Sequence, residues 1–90
     1  MAHRIPIEGT IDLHAFAPRD IQSVVDEYIQ AAHEAGLTEI RLIHGRGIGV
    51  QRAVVHRILH SHSLVESYED ASESHLGATT ARLKGIKAKG

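Results

Sequence analysis

Between Pro18 and Gly36, Ile21, Val24, Val25, Tyr28, Ile29, Ala32 and Ala35 recur at helical spacing. Such a stripe puts one apolar face on a helix and requires a second layer to cover it. Pro18 suits a first helical position and Gly36 a C-terminal stop. Ser23, Asp26, Glu27, Gln30 and Glu34 fall on the opposite, solvated face. The flanking runs Ile7 to His14 and Glu39 to Ile43 are rich in β-branched residues and read as strands. Two strands joined by a helix are expected to be parallel, with a right-handed crossover, and their C-terminal ends lie side by side or one strand apart.

The rest of the chain completes a β-α-β-α-β-β order. Val50, Val54 and Ile58, with Ala53 and Val55, make a second amphipathic helix that frays near His60 to Ser63. Its outer face is expected to carry Arg52, His56 and His60. Leu64 to Tyr68 reads as a third strand and Ala78 to Leu83 as a fourth, joined by a polar loop through Ser72, Glu73, Ser74 and His75. The fold class is therefore α/β: a two-layer sandwich of a four-stranded mixed sheet with two helices on one face. Residues 1–6 are assigned to an N-terminal extension, 7–84 to the domain and 85–90 to a disordered tail.

Ninety residues suffice for one core and no more. Aromatic residues are 3% of the chain and tryptophan is absent, so the core is aliphatic and base-stacking platforms are not expected. Without cysteine there is neither a disulfide framework nor a thiolate metal site. No apolar run is long enough for a membrane span, which implies a cytoplasmic protein without a membrane partner; a monomer is expected. The net charge of −1 argues against indiscriminate polyanion binding. Its distribution is uneven, because Ile40 to Val65 holds Arg41, Arg46, Arg52 and Arg57 with His44, His56, His60 and His62 and no carboxylate. That stretch can present a positive field to an anion.

Two short motifs carry chemistry. In Asp12-x-His14, spacing of two on a strand sends both side chains to one face, where the carboxylate can orient the imidazole. The alternative is an Asp that caps the following turn. The second motif, His44-Gly45-Arg46-Gly47-Ile48-Gly49, lies between a strand and a helix start. Glycines there admit backbone N–H groups to a phosphate, the helix N-terminus favours negative charge, and Arg46 adds a bidentate fork. A tight turn that merely needs glycine is the competing explanation. The spacing is neither a dinucleotide fingerprint nor a P-loop. His56 and His60 have the spacing of a metal pair, but their own segment offers no carboxylate or cysteine, so they read as polar surface.

Together, Ile11-Asp12-Leu13-His14, His44-Gly45-Arg46-Gly47 and Gly77-Ala78-Thr79 resemble the Smr domain, the small MutS-related domain, from about Ile7 to Lys84. That family has L-D-x-H as its first signature, an H-G-x-G or T-G-x-G loop as its second, and a glycine-containing segment before its last strand. Ala15 stands where a glycine is common, and His75-Leu76-Gly77 where paired glycines are usual. The resemblance implies a two-layer fold similar to the C-terminal domain of a bacterial translation initiation factor. It also implies nucleic-acid binding and, in many members, endonuclease activity on DNA or messenger RNA. Lacking an ATPase or clamp region, the chain is expected to be a free-standing member or an excised domain. On this basis Asp12, His14 and His44 are the expected catalytic residues, with His44 as partner to His14 across the scissile group. Gly45, Arg46, Gly47, Gly49, Arg52, His75 and Gly77 are the expected nucleic-acid contacts. Asp12 could instead help hold a divalent cation, magnesium or manganese. The alternative function is a non-catalytic module that recognises phosphate backbone and nucleic-acid shape.

Overall fold

The structure, a computed structural model, describes residues 8–45, 50–71 and 77–85. Strand β1 spans Thr10–Asp12, helix α1 Ile21–Glu34, β2 Glu39–Ile43, α2 Val50–Ser61, β3 Val65–Asp70 and β4 Ala78–Leu83. The four strands form one sheet in the order β1-β2-β4-β3. β1 and β2 are parallel, with Ile11 opposite Leu42 and Asp12 opposite Ile43, while β4 is antiparallel to both β2 and β3. The result is the mixed sheet with two helices that the apolar pattern implies. The 1–6 extension and most of the assigned tail lie outside the described residues.

Side chains alternate along a strand, so one face of the sheet meets the helices. Ile40 and Leu42 of β2 and Ala81 and Leu83 of β4 pack with Ile21, Val25, Ile29 and Ala32 of α1 and with Val55 and Leu59 of α2 in one buried cluster. Helix α1 ends as its glycine requires. Gly36 has φ +87°, its N–H donates to the His33 carbonyl, and the Leu37 N–H reaches back to the Ala32 carbonyl. This is a Schellman stop, and Leu37 packs on the core beside it. The Tyr28 hydroxyl donates to the Glu8 carbonyl and fastens the chain entering β1 to α1. Burial, with Glu8 nearby, pushes the Tyr28 phenol up to about 12, which keeps it a donor.

Three expectations need correction. The first strand does not run from Ile7 to His14: β1 stops at Asp12, and Leu13–Ala15 form a 3₁₀ turn. The Asp12 carboxylate accepts the His14 backbone N–H, offering the chain a local alternative to the ladder. The third strand continues two residues past Tyr68 to Asp70. Finally, of the expected outer face of α2 Arg52 and His60 are exposed, but His56 turns inward against β3 and β4, with its ring 5.0 Å from that of Tyr68.

Leu13, fully buried between the exposed Asp12 and His14, anchors this turn to the core. Leu13→Ala should cost about 2–5 kcal/mol in denaturant unfolding. A loss of well under 1 kcal/mol would mean that the turn is not held by this side chain.

Candidate functional site

The parallel pairing of β1 and β2 puts their C-terminal ends side by side. The C-terminal end of β3, the start of β4 and the N-terminal ends of both helices lie at the same edge of the sheet. In open α/β sheets this edge is where ligands bind, and Asp12, His14, His44, Gly45, Arg52 and Gly77 lie there.

Asp12 Oδ1 accepts twice from His14, from the backbone N–H at 2.9 Å and from ring Nδ1 at 2.9 Å. The turn cap and the imidazole orienter are thus one carboxylate. These bonds, the backbone one foremost, hold the Asp12 carboxyl below its usual range. A proton on Nδ1 leaves the lone pair of neutral His14 on Nε2. That atom lies against Gly45: a Cβ added there would fall 2.6 Å from His14 Nε2, and Gly45 has φ +90°. The glycine is needed both for its backbone conformation and for the close approach of the ring.

The loop is tied down from β4. The Gly77 carbonyl accepts both the His44 N–H at 2.8 Å and the Gly45 N–H at 2.9 Å. Gly45 therefore spends its donor inside the protein, contrary to the expectation that its N–H cradles a phosphate. Arg46, Gly47, Gly49 and His75 lie outside the described residues. His44 is buried, with 5% exposure. Its Nδ1 lies 3.1 Å from the Gly45 carbonyl and its Nε2 2.8 Å from Thr79 Oγ1. Both ring nitrogens of His44 thus have partners within the protein.

Arg52 meets Asp70 in a fork, Nε to Oδ1 at 3.0 Å and a terminal nitrogen to Oδ2 at 2.7 Å. His56 Nε2 is 3.0 Å from Thr79 Oγ1 and 3.4 Å from Asp70 Oδ1. Asp70, Thr79 and His56 were not among the expected site residues. Asp70 lies outside the carboxylate-free stretch that holds Arg52 and His56, and the pairing of β3 with β4, Asp70 opposite Thr79, carries it to them. The i, i+4 relation of Arg52 and His56 was the available signal, whereas the spacing weighed for metal binding was that of His56 and His60. A further imidazole–carboxylate contact lies elsewhere, between His62 Nε2 and Asp26 Oδ1 at 2.8 Å. Among the described residues, no three His, Cys, Asp or Glu side chains group as metal ligands, and no helix is long and apolar enough to cross a membrane.

A sequence model of the Smr domain matches residues 11–84. The chain belongs to the Smr domain family. Endonuclease MutS2 of Caldicellulosiruptor bescii is 35% identical over 80 residues, 87% of this chain and 10% of that protein. The chain thus spans about a tenth of the length of the curated relatives it matches. The crystal structure of the Smr domain of Thermus thermophilus MutS2 superposes with a TM-score of 0.78 at 29% identity, covering 86% of this chain and 99% of that one. YdaL, a stand-alone small MutS-related protein from Escherichia coli, gives 0.78 at 26% identity and covers 88% and 66%.

Two outcomes follow from this geometry. Gly45→Ala forces a Cβ into the positive-φ region and onto His14; it should cost about 1–2 kcal/mol from the backbone alone and detach the His14 ring from Asp12. Denaturant unfolding and the His14 imidazole NMR signals read the two effects, and unchanged signals would contradict the close approach. The second concerns pH. Burial, foremost, lowers the pKa of both His44 and His56, with Arg52 opposing their protonation. Below the ordinary imidazole value of about 6.5 the unfolded chain takes up protons that the folded one refuses. Their share of stability is constant above that value and declines as the pH falls toward the folded values. Asp12 and Asp70, whose pKa values are lowered, lose theirs only in a more acid window. Denaturation midpoints across this range should fall first in the imidazole window, with a shallower decline in His56→Gln.

Proposed function

We propose that this Smr domain is a nucleic-acid endonuclease module that breaks a phosphodiester bond at the edge where β1 and β2 end. The observation that supports it best is the position of His14: Nδ1 held by a carboxylate and Nε2 set against the glycine that opens the H-G-x-G loop. An imidazole oriented in this way is a general acid–base group. As base, Nε2 takes the proton of the attacking oxygen while the new O–P bond forms; the leaving oxygen departs and is reprotonated from the imidazolium or from water. Asp12 stabilises the cation that His14 then becomes. The names of the MutS2 relatives, which are endonucleases, agree with this reading.

The N-terminal end of α2 is the element that would hold the phosphate; Arg46, Gly47, Gly49 and His75 remain the contacts expected from the sequence, and they lie outside the described residues. Gly77 contributes by bracing the loop through its carbonyl. Arg52 joins by exchanging Asp70 for a phosphate. Both side chains are about half exposed, and a surface pair of this kind contributes only about 0–1 kcal/mol, so the exchange is cheap. His44 acts as a positioning residue, since its nitrogens are engaged within the protein. Asp12 Oδ1 is taken twice by His14; a magnesium or manganese ion arriving with the substrate would be held by Asp12 together with phosphate oxygens, where it would supply charge stabilisation.

Purified protein incubated with DNA and RNA of several architectures, in chelator and in magnesium or manganese, tests the reading. His14→Ala should lower cleavage about 10²–10⁴-fold, and Asp12→Asn should lower it too, with affinity largely retained. Normal cutting by both variants would remove the assignment. If wild-type protein binds but cuts nothing, the site is a phosphate-recognition module instead.

A further inference from the structure

Thr79 is fully buried on the helix-facing side of β4, where Ala81 and Leu83 are apolar. An unbonded hydroxyl at such a place costs about 1–3 kcal/mol, and Val would fill the same volume without that cost. The hydroxyl instead lies between two imidazoles, 2.8 Å from His44 Nε2 and 3.0 Å from His56 Nε2.

Counting protons fixes the direction of every bond. The Gly45 carbonyl only accepts, so His44 Nδ1 carries the proton, and Nε2 of the neutral ring is the acceptor. Thr79 must donate to it. A threonine has one hydroxyl proton, so the bond from His56 must run the other way, with His56 Nε2–H donating to Thr79 Oγ1. Asp70 Oδ1, 3.4 Å from the same nitrogen, faces an N–H as a carboxylate should, and Arg52 holds that carboxylate in place. A proton added to His44 would go to Nε2 and put a second N–H against the Thr79 hydroxyl, whereas one added to His56 would go to Nδ1 and leave the Thr79 bond in place. The lowered pKa of both histidines agrees with two neutral rings.

We infer that Thr79 is a positioning residue, the hub of a one-way hydrogen-bond relay from His56 through Thr79 and His44 to the Gly45 carbonyl, with Asp70 facing the same His56 N–H at its start, and that this relay holds the loop glycine against His14. The relay joins β3, α2, β4 and the loop. Gly77, two residues before Thr79, ties the same loop through its backbone. The inference deepens the proposed function and rests on it for its effect on cleavage; the relay itself stands on the geometry.

The test reads ring tautomers by ¹H–¹⁵N correlation NMR of the histidine side chains at mildly alkaline pH, beside cleavage of a nucleic-acid substrate. Wild-type protein should show His44 as the Nδ1–H form and His56 as the Nε2–H form. Thr79→Val should release both tautomers and lower kcat at least tenfold with KM little changed, while Thr79→Ser restores the tautomers and the rate. His44 in the Nε2–H form in wild type, or fixed tautomers that survive in the Val variant, would overturn the relay. The wild-type spectrum decides even if the Val variant fails to fold. Relay tautomers as expected in a wild-type protein that cuts nothing would support the relay and overturn the endonuclease reading.

Discussion

The parallel pairing of β1 with β2 is the constraint on which the site depends. Three residues of β1 suffice, because Ile11 lies opposite Leu42 on the core side and Asp12 opposite Ile43 at the upper end. Once that register is set, the turn after β1 and the loop after β2 emerge next to each other, and His14 and Gly45 meet. A one-residue slip would turn Ile11 out of the core and carry Asp12 to the wrong face, so apolar burial enforces the alignment that the site needs.

Around that meeting point the protein uses backbone and side-chain bonds for different ends. The Gly77 carbonyl binds two successive N–H groups and fixes the path of the loop without engaging a side chain. The imidazoles of His44 and His56 then fill the space between α2 and β4 and satisfy the buried Thr79 hydroxyl. The outermost pair, Arg52 with Asp70, remains solvent-exposed and exchangeable. Burial thus declines from the sheet outward, from Thr79 and His44 to the half-exposed pair.

The two histidines of the motifs have unlike surroundings. His14 is exposed, with a carboxylate on one side of the ring. His44 is buried and deprived of charge stabilisation, and its neighbour Arg52 disfavours a proton on it. The same residue type is therefore an exposed ring held by a carboxylate in one place and a buried hydrogen-bond linker in the other. Membership of the Smr family accounts for the pairing of the motifs, and the local environment accounts for the division of labour.

Much of this was legible along the chain. The stripe from Ile21 to Ala35, its Gly36 stop and the β-branched run of β2 are local periodicities, and they determined the element order and the fold class. Local spacing also made Asp12, His14 and the glycine loop candidates, because a ring and a carboxylate two residues apart are within reach in either a strand or a turn. What spacing could not specify was which conformation Asp12 would enforce, and it proved to end the strand. Nor could it show that Asp70 would come beside Arg52, or that His56 would turn inward to Thr79. Those contacts join residues far apart in sequence through the antiparallel register of β3 on β4. Only the tertiary structure decided them, because a hydrogen bond between distant residues depends on how sheet and helix pack, which no local pattern encodes.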